Sequence, residues 1–241
     1  MHPLDHAISS QKAHGGAVAD YLPLHSWFDA SKTTLCHFTH RALRHHLEGI
    51  ATARTRFGDR IAITGGGSIP TEDLGHQHLQ EDCRQIPKAA DWLDLLKAPD
   101  WLPSEVPTPV EIATALAPRM EAEAADLLPL CEWMGETATW FGDTRHLAMR
   151  HHAFGIFEAE ERFGIAITTA GGTLLPTRYV AERHVRHVVG RLPSATDWLR
   201  RIQGQLWMAE PGKRRAPGPR PASALQATPD QPGTVGQPGP G

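Results

Sequence analysis

The chain has 241 residues, 40% apolar and 21% charged, with a formal net charge of −3. That balance excludes a polyelectrolyte and a disordered chain of low hydrophobicity, and no apolar run reaches the ~18 residues of a membrane span. The unusual component is histidine, with 15 residues against 24 lysines and arginines together.

In chain order, a first helix is predicted over about 4–14 and ends at Gly15-Gly16. A second covers about 21–32 and carries Trp27 and Phe28. A long third helix runs over about 38–56 and stops at Gly58. Ile61 to Thr64, three glycines, then Ser68-Ile69-Pro70 read as a small β-hairpin. Thr71 caps a fourth helix whose first turn holds Glu72 and Asp73. A short fifth helix follows Pro87 and carries Trp92. After a junction at 103–106 the pattern starts again. Shifting the chain by 106 residues aligns it with itself without a gap, with roughly 30 of about 100 positions identical. Trp27 meets Trp133, His45-His46 meets His151-His152, His78 meets His184, and Asp91-Trp92-Leu93 meets Asp197-Trp198-Leu199. The expected organisation is a duplicated domain, 1–102 and 107–208, followed by a Pro/Gly-rich tail, 209–241, that is expected to be disordered. The fold class is mainly α with one small β-hairpin per repeat. The two repeats are expected to pack together as a pseudo-dimer.

Charge and cysteine usage narrow the setting. Neither repeat is basic, which disfavours nucleic acid as a partner. The start, Met1-His2-Pro3-Leu4-Asp5-His6, lacks the pattern of a secretory signal. Cys36, Cys83 and Cys131 lie far apart and form no disulfide framework, so the expected location is cytoplasmic.

Placed at 100° per residue, the third helix puts His46 in a stripe with Leu43, Ile50, Ala53 and Phe57, and His152 in the matching stripe. His40 and Arg44 share the opposite, polar side with His45 at its edge, as do His146, Arg150 and His151 in the second repeat. This face reads as solvated, with nucleic-acid contact as a weaker alternative. On the fourth helix His78 falls among Leu74, Leu79, Cys83 and Ile86, and His184 among Val180, Val185, Val189 and Leu192. Each repeat thus sends two histidines inward. They are either core imidazoles bonded to neighbours or ligands of zinc or another divalent transition metal. A metal needs further ligands. His25 faces Cys131 in the alignment, His76 faces Glu182, and Asp82 lies four residues after His78. The candidate set is therefore His46, His78, His25 and Asp82 in one repeat, and His152, His184, Cys131 and Glu182 in the other. No catalytic residue is assigned.

His2-Pro3, His6-Ala7, Gly15-Gly16, Asp20-Tyr21-Leu22-Pro23, Trp27-Phe28-Asp29, His40 through His46, Glu48-Gly49-Ile50 and Asp91-Trp92 resemble an uncharacterised domain family of bacteria and their phages. Members are similar in length to one repeat, and the resemblance brings no known chemistry. The usual family pattern has Glu two residues before the histidine of the fourth helix, where His76 stands here and Glu182 in the second repeat. The second repeat carries Thr108, Ile112 and Met120 where the first has His2, His6 and His14. If those histidines act, only the first repeat retains the role. The leading expectation is a non-enzymatic accessory or interaction protein with a protein partner. The competing one is a metal-binding protein, extending to a metal-dependent hydrolase with its site in the first repeat.

Overall fold

A computed structural model describes residues 1–208, so the expected tail lies outside the described residues. The first repeat comprises α1 (Pro3–His14), α2 (Val18–Asp29), α3 (Leu47–Phe57), a hairpin of β1 (Arg60–Ala62) and β2 (Ser68–Pro70), α4 (Thr71–Cys83) and α5 (Ala89–Leu93). The second repeats the order as α6 (Pro109–Leu116), α7 (Ala124–Gly135), α8 (Ala153–Phe163), β3 (Ala166–Thr168) with β4 (Leu174–Pro176), α9 (Thr177–Val189) and α10 (Ala195–Leu199). The protein is mainly helical, with one antiparallel hairpin in each of two tandem copies. Ile61 pairs with Ile69, and Ile167 with Leu175.

Two expected details are corrected. Thr71 is the first residue of α4 rather than its cap, and its hydroxyl donates to the Gly58 carbonyl at 2.6 Å. The long third helix is interrupted. Phe38–Leu43 forms a 3-10 segment, the backbone turns extended at His46, and α3 begins only at Leu47. His46 is therefore an N-cap: its Nδ1 accepts the Gly49 N–H at 3.0 Å, and its Nε2 donates to the Leu43 carbonyl at 3.1 Å. His152 does the same with Gly155 and Ala148. A side chain spent on the helix start satisfies amides that would otherwise be orphaned. A helix drawn straight through 38–56 misplaces every residue before Leu47.

The break also explains the fate of the expected polar face. His40, Arg44, His45, His146, Arg150 and His151 are all buried. Arg44 lies flat on Trp27 at 4.2 Å and also covers Phe154 of the other copy at 5.0 Å, while its guanidinium pairs with Glu158 at 2.8 Å. Arg150 lies on Trp133 at 4.2 Å and on Trp140 at 4.8 Å. His40 bonds the Ser31 hydroxyl, and His146 the Thr137 hydroxyl. These groups hold the interior together and present no surface to a nucleic acid.

The copies share one apolar cluster, while Tyr21, Leu24, Phe28, Ile50, Leu74 and Leu79 form a second within the first copy. Leu35, Ala42, Leu43, Trp92 and Leu93 of the first pack into the same apolar cluster as Leu116, Leu130, Trp198 and Leu199 of the second. Equivalent residues meet at the seam. Leu96 pairs with Ile202, its own counterpart, through an antiparallel bridge. Lys97 N donates to the Arg201 carbonyl at 3.1 Å, and Gln203 N donates to the Leu95 carbonyl at 2.9 Å. The tryptophans cross over: Trp101, at the end of the first copy, packs edge-on against Trp198, and Trp207 packs against Trp92, with ring centroids 4.7 and 4.8 Å apart. Such aromatic pairs add ~0.5–1.5 kcal/mol beyond the area they bury.

At the turn into α3 and α8 the chain passes very close to itself. A Cβ on Gly49 would stand 2.0 Å from the Arg44 carbonyl oxygen, and one on Gly155 2.0 Å from that of Arg150. We expect Gly49→Ala or Gly155→Ala to destabilise the chain by about 3 kcal/mol or more, read as a lower urea midpoint; a change below about 0.5 kcal/mol would contradict this packing.

Candidate metal centre

Asp82, on α4, is a fully buried carboxylate, and such a group persists only when donors surround it. Four elements supply them. Arg41, in the 3-10 segment, brings Nε to 3.1 Å from Oδ2 and donates through Nη1 to the Met208 carbonyl. His45, just before the break, brings Nε2 to 3.2 Å from Oδ2. His6, on α1, brings Nε2 to 3.4 Å from Oδ1. His78, one turn earlier on α4, lies beside the carboxylate but beyond hydrogen-bond reach, with Nε2 3.9 Å from Oδ2. The amino group of Met1 also reaches Oδ1. A second carboxylate, Asp29 at the end of α2, is only 4% exposed and stands 3.5 Å from His45 Nε2 and 2.7 Å from Lys32.

His6, Asp29, His78 and Asp82 each offer one ligand atom within 4.8 Å of all the others. Ligand atoms bound at about 2.1 Å around one cation stand about 3.0–3.4 Å apart, and His6 Nε2 and Asp82 Oδ1 are 3.4 Å apart. His6 Nε2 and both oxygens of Asp29 are buried, and their neighbours are Asp82 Oδ1 at 3.4 Å, His45 Nε2 at 3.5 Å and Lys32 Nζ at 2.7 Å. The set of two imidazoles and two carboxylates suits Zn²⁺, Mn²⁺, Fe²⁺ or Co²⁺.

Outside the four lies a second ring of bonds. Glu81 meets His6 Nδ1 at 2.5 Å and receives Ser9 and Gln77. His25 joins His78, Nδ1 to Nδ1 at 3.0 Å, and reaches the Ser10 hydroxyl through Nε2 at 2.9 Å. His25, expected as a ligand, bonds His78 and stands outside the cluster of four. His46 is kept away by its capping role. Asp82 and His78 are brought together as grouped from sequence; His6, Asp29, Glu81 and Arg41 are added by the fold.

The second copy shows what remains when the carboxylates are removed. Gly135 and Val188 stand at the positions of Asp29 and Asp82, Ile112 at that of His6, and Leu147 at that of Arg41. His151 and His184 still meet, Nε2 to Nε2 at 3.2 Å, and His184 Nδ1 faces Cys131 Sγ at 3.4 Å. Glu182 is only half-buried on α9, and His152 caps α8, so the four residues grouped from sequence in this copy do not converge. His45 Nδ1 and His151 Nδ1 are both without a partner, a feature the copies share and one that owes nothing to the carboxylates.

A family model described as "Domain of unknown function (DUF6915)" matches residues 1–102 and again 108–208. The chain belongs to this family, in two tandem copies. No curated protein and no solved structure matches it. Between the two copies of this DUF6915 chain, His6, Asp29, Arg41 and Asp82 give way to Ile112, Gly135, Leu147 and Val188. Those are the positions around the buried carboxylates.

Charge follows the geometry. Burial drives the imidazole of His78 well below its ordinary 6.5, aided by the neighbouring His45 and His6. Burial also lowers His25, His146 and His152 to about 4, and His184 to about 3. Burial alone would lower His6 too, but its bonds to Asp82 and Glu81 outweigh that and raise it. Burial works to raise the Asp29 carboxyl, but His45 and Lys32 overcome it and hold the group at about 2. Asp82 is held far below the usual carboxylate range against the same burial, by His45, His6 and Arg41.

The buried neutral histidines set an acid limit. An unfolded chain protonates them as pH falls below about 6.5, whereas the folded chain resists until about 4. Between those values the unfolded state binds more protons, so stability is lost on acidification. His6 acts in the opposite sense, its stabilising contribution being lost as pH rises through its raised value; it is outnumbered by the lowered histidines. We expect the urea midpoint to fall steadily from pH 6.5 to 4, and a flat midpoint across that window would contradict the burial described.

Proposed function

We propose that the first copy binds one divalent transition-metal ion through His6, Asp29, His78 and Asp82, with His45 and Arg41 flanking it. The observation that carries this reading is the convergence of four buried ligand-type side chains. His6, Asp29, His78 and Asp82 bring one ligand atom each within 4.8 Å of the others, and Ile112, Gly135 and Val188 stand at the His6, Asp29 and Asp82 positions of the second copy. Two buried carboxylates this close repel one another, and a cation between them would offset that repulsion. Every ligand is buried, which suits a closed centre that stabilises or stores metal. Hydrolysis would need an open coordination position, so the hydrolase reading ranks below it.

The duplication supports a further reading, in which the two copies form a pseudo-dimer within one chain. The reciprocal bonds of Leu95–Lys97 with Arg201–Gln203 and the exchanged tryptophans are those of an isologous interface. The second copy then acts as the structural partner. That keeps the accessory role expected from the sequence, now joined to a metal centre. Three free cysteines suit a reducing compartment such as the cytoplasm, and among the described residues no helix is long and apolar enough to cross a membrane.

The test is elemental analysis of protein without a histidine tag, after zinc loading and desalting. Wild type should hold about one equivalent, with a raised melting temperature. His6→Ile and Asp29→Gly install the second copy's own residues and should lose the metal, while His184→Leu should keep it. Less than a tenth of an equivalent in folded wild type would overturn the proposal.

A further inference from the structure

We infer that Glu81, which is outside the ligand set, fixes which nitrogen each ligand histidine turns toward the centre. This rests on the metal-binding reading above. A carboxylate only accepts hydrogen bonds, so everything touching Glu81 must donate. The Gln77 amide therefore points Nε2 at Glu81 Oε1, at 2.9 Å, and leaves Oε1 facing Ser10. The Ser10 hydroxyl has one proton, and an amide oxygen 2.9 Å away can only accept it. His25 Nε2, 2.9 Å from the same hydroxyl, must then donate. A neutral imidazole carries one N–H, so His25 Nδ1 is a bare acceptor, and His78 Nδ1 at 3.0 Å must supply the proton. That leaves the lone pair of His78 on Nε2, the nitrogen facing His45 and Asp82.

The second branch is shorter. His6 Nδ1 donates to Glu81 Oε2 at 2.5 Å, and its Nε2 is the nitrogen aimed at Asp82. One carboxylate thus orients both imidazoles, directly in one case and through three side chains in the other. Partners of this kind fix the tautomer of a metal-binding histidine and raise its basicity. Nothing of the path exists in the second copy, where Arg183, Leu116, Cys131 and His187 replace Gln77, Ser10, His25 and Glu81. The path and the carboxylate ligands are absent together.

Glu81→Gln is the decisive variant. It keeps the size of a partly exposed side chain, so the fold should survive, but it can donate. Gln77 and Ser10 are then free to reverse, and His78 with them. Imidazole ¹⁵N–¹H spectra of the metal-free full chain report each tautomer directly. Wild type should show His78 protonated at Nδ1. Glu81→Gln should move that proton toward Nε2 and weaken zinc binding ten- to a hundredfold. Ser10→Ala, which cuts only the longer branch, should shift His78 and leave the His6 Nδ1–H on Glu81. Wild-type His78 protonated at Nε2 would overturn the inference, as would a folded Glu81→Gln with unchanged tautomers and zinc affinity. Wild type with the expected tautomer but no zinc uptake would instead overturn the metal-binding reading and leave the Glu81 orientation standing.

Discussion

A carboxylate with no access to water organises the first copy. Asp82 cannot stay ionised alone in the interior, so Arg41, His6 and His45 converge on it from separate elements. Each of those groups brings its own need. Arg41 engages the end of the second copy through Met208. His6 takes Glu81, and His78 takes His25, which in turn takes Ser10. The polar interior is thus a connected network in which few members can be replaced singly, and its bonds strengthen one another in a low dielectric.

The second copy separates what the fold needs from what is particular to the first copy. The capping histidine, the arginine on tryptophan, the imidazole pair and the tryptophan bonded to a histidine carbonyl occur in both, as His46 and His152, Arg44 and Arg150, His45–His78 and His151–His184, Trp92 and Trp198. They are scaffold. The carboxylates Asp29 and Asp82, with His6 and Arg41, occur in the first copy alone. A histidine pair with no acid beside it folds as an ordinary core, so the pair by itself carries no argument for a metal.

Much of this was legible in the residues. The 106-residue shift revealed the duplication, glycines and prolines marked the hairpins, and the pattern of α4 placed His78 inside beside Asp82. The third helix was misread because periodicity has no means of seeing a cap in its middle. Histidine is an uncommon N-cap, and Gly49 three residues later was the available sign that the backbone turns there. The cluster members from α1 and α2 depended on packing between distant elements, which spacing along the chain does not encode. One signal for them was in the alignment. Ile112, Leu147 and Val188 mark positions that a fold buries, so the His6, Arg41 and Asp82 opposite them had to be buried as well. Charged and ionisable groups at apolar positions are where a site is to be sought.

The crossed tryptophans bear on how the two copies came to differ. Because Trp207 closes the first copy's interior and Trp101 the second's, neither half is a finished object without the other. The second copy, which has Gly135 and Val188 in place of the inner carboxylates, still supplies the wall that covers the first copy's interior. In a pair of equal subunits in separate chains, every change strikes both partners at once. Two copies of one fold joined in a single chain are free to differ inside, with buried carboxylates in one half and none at the matching positions of the other.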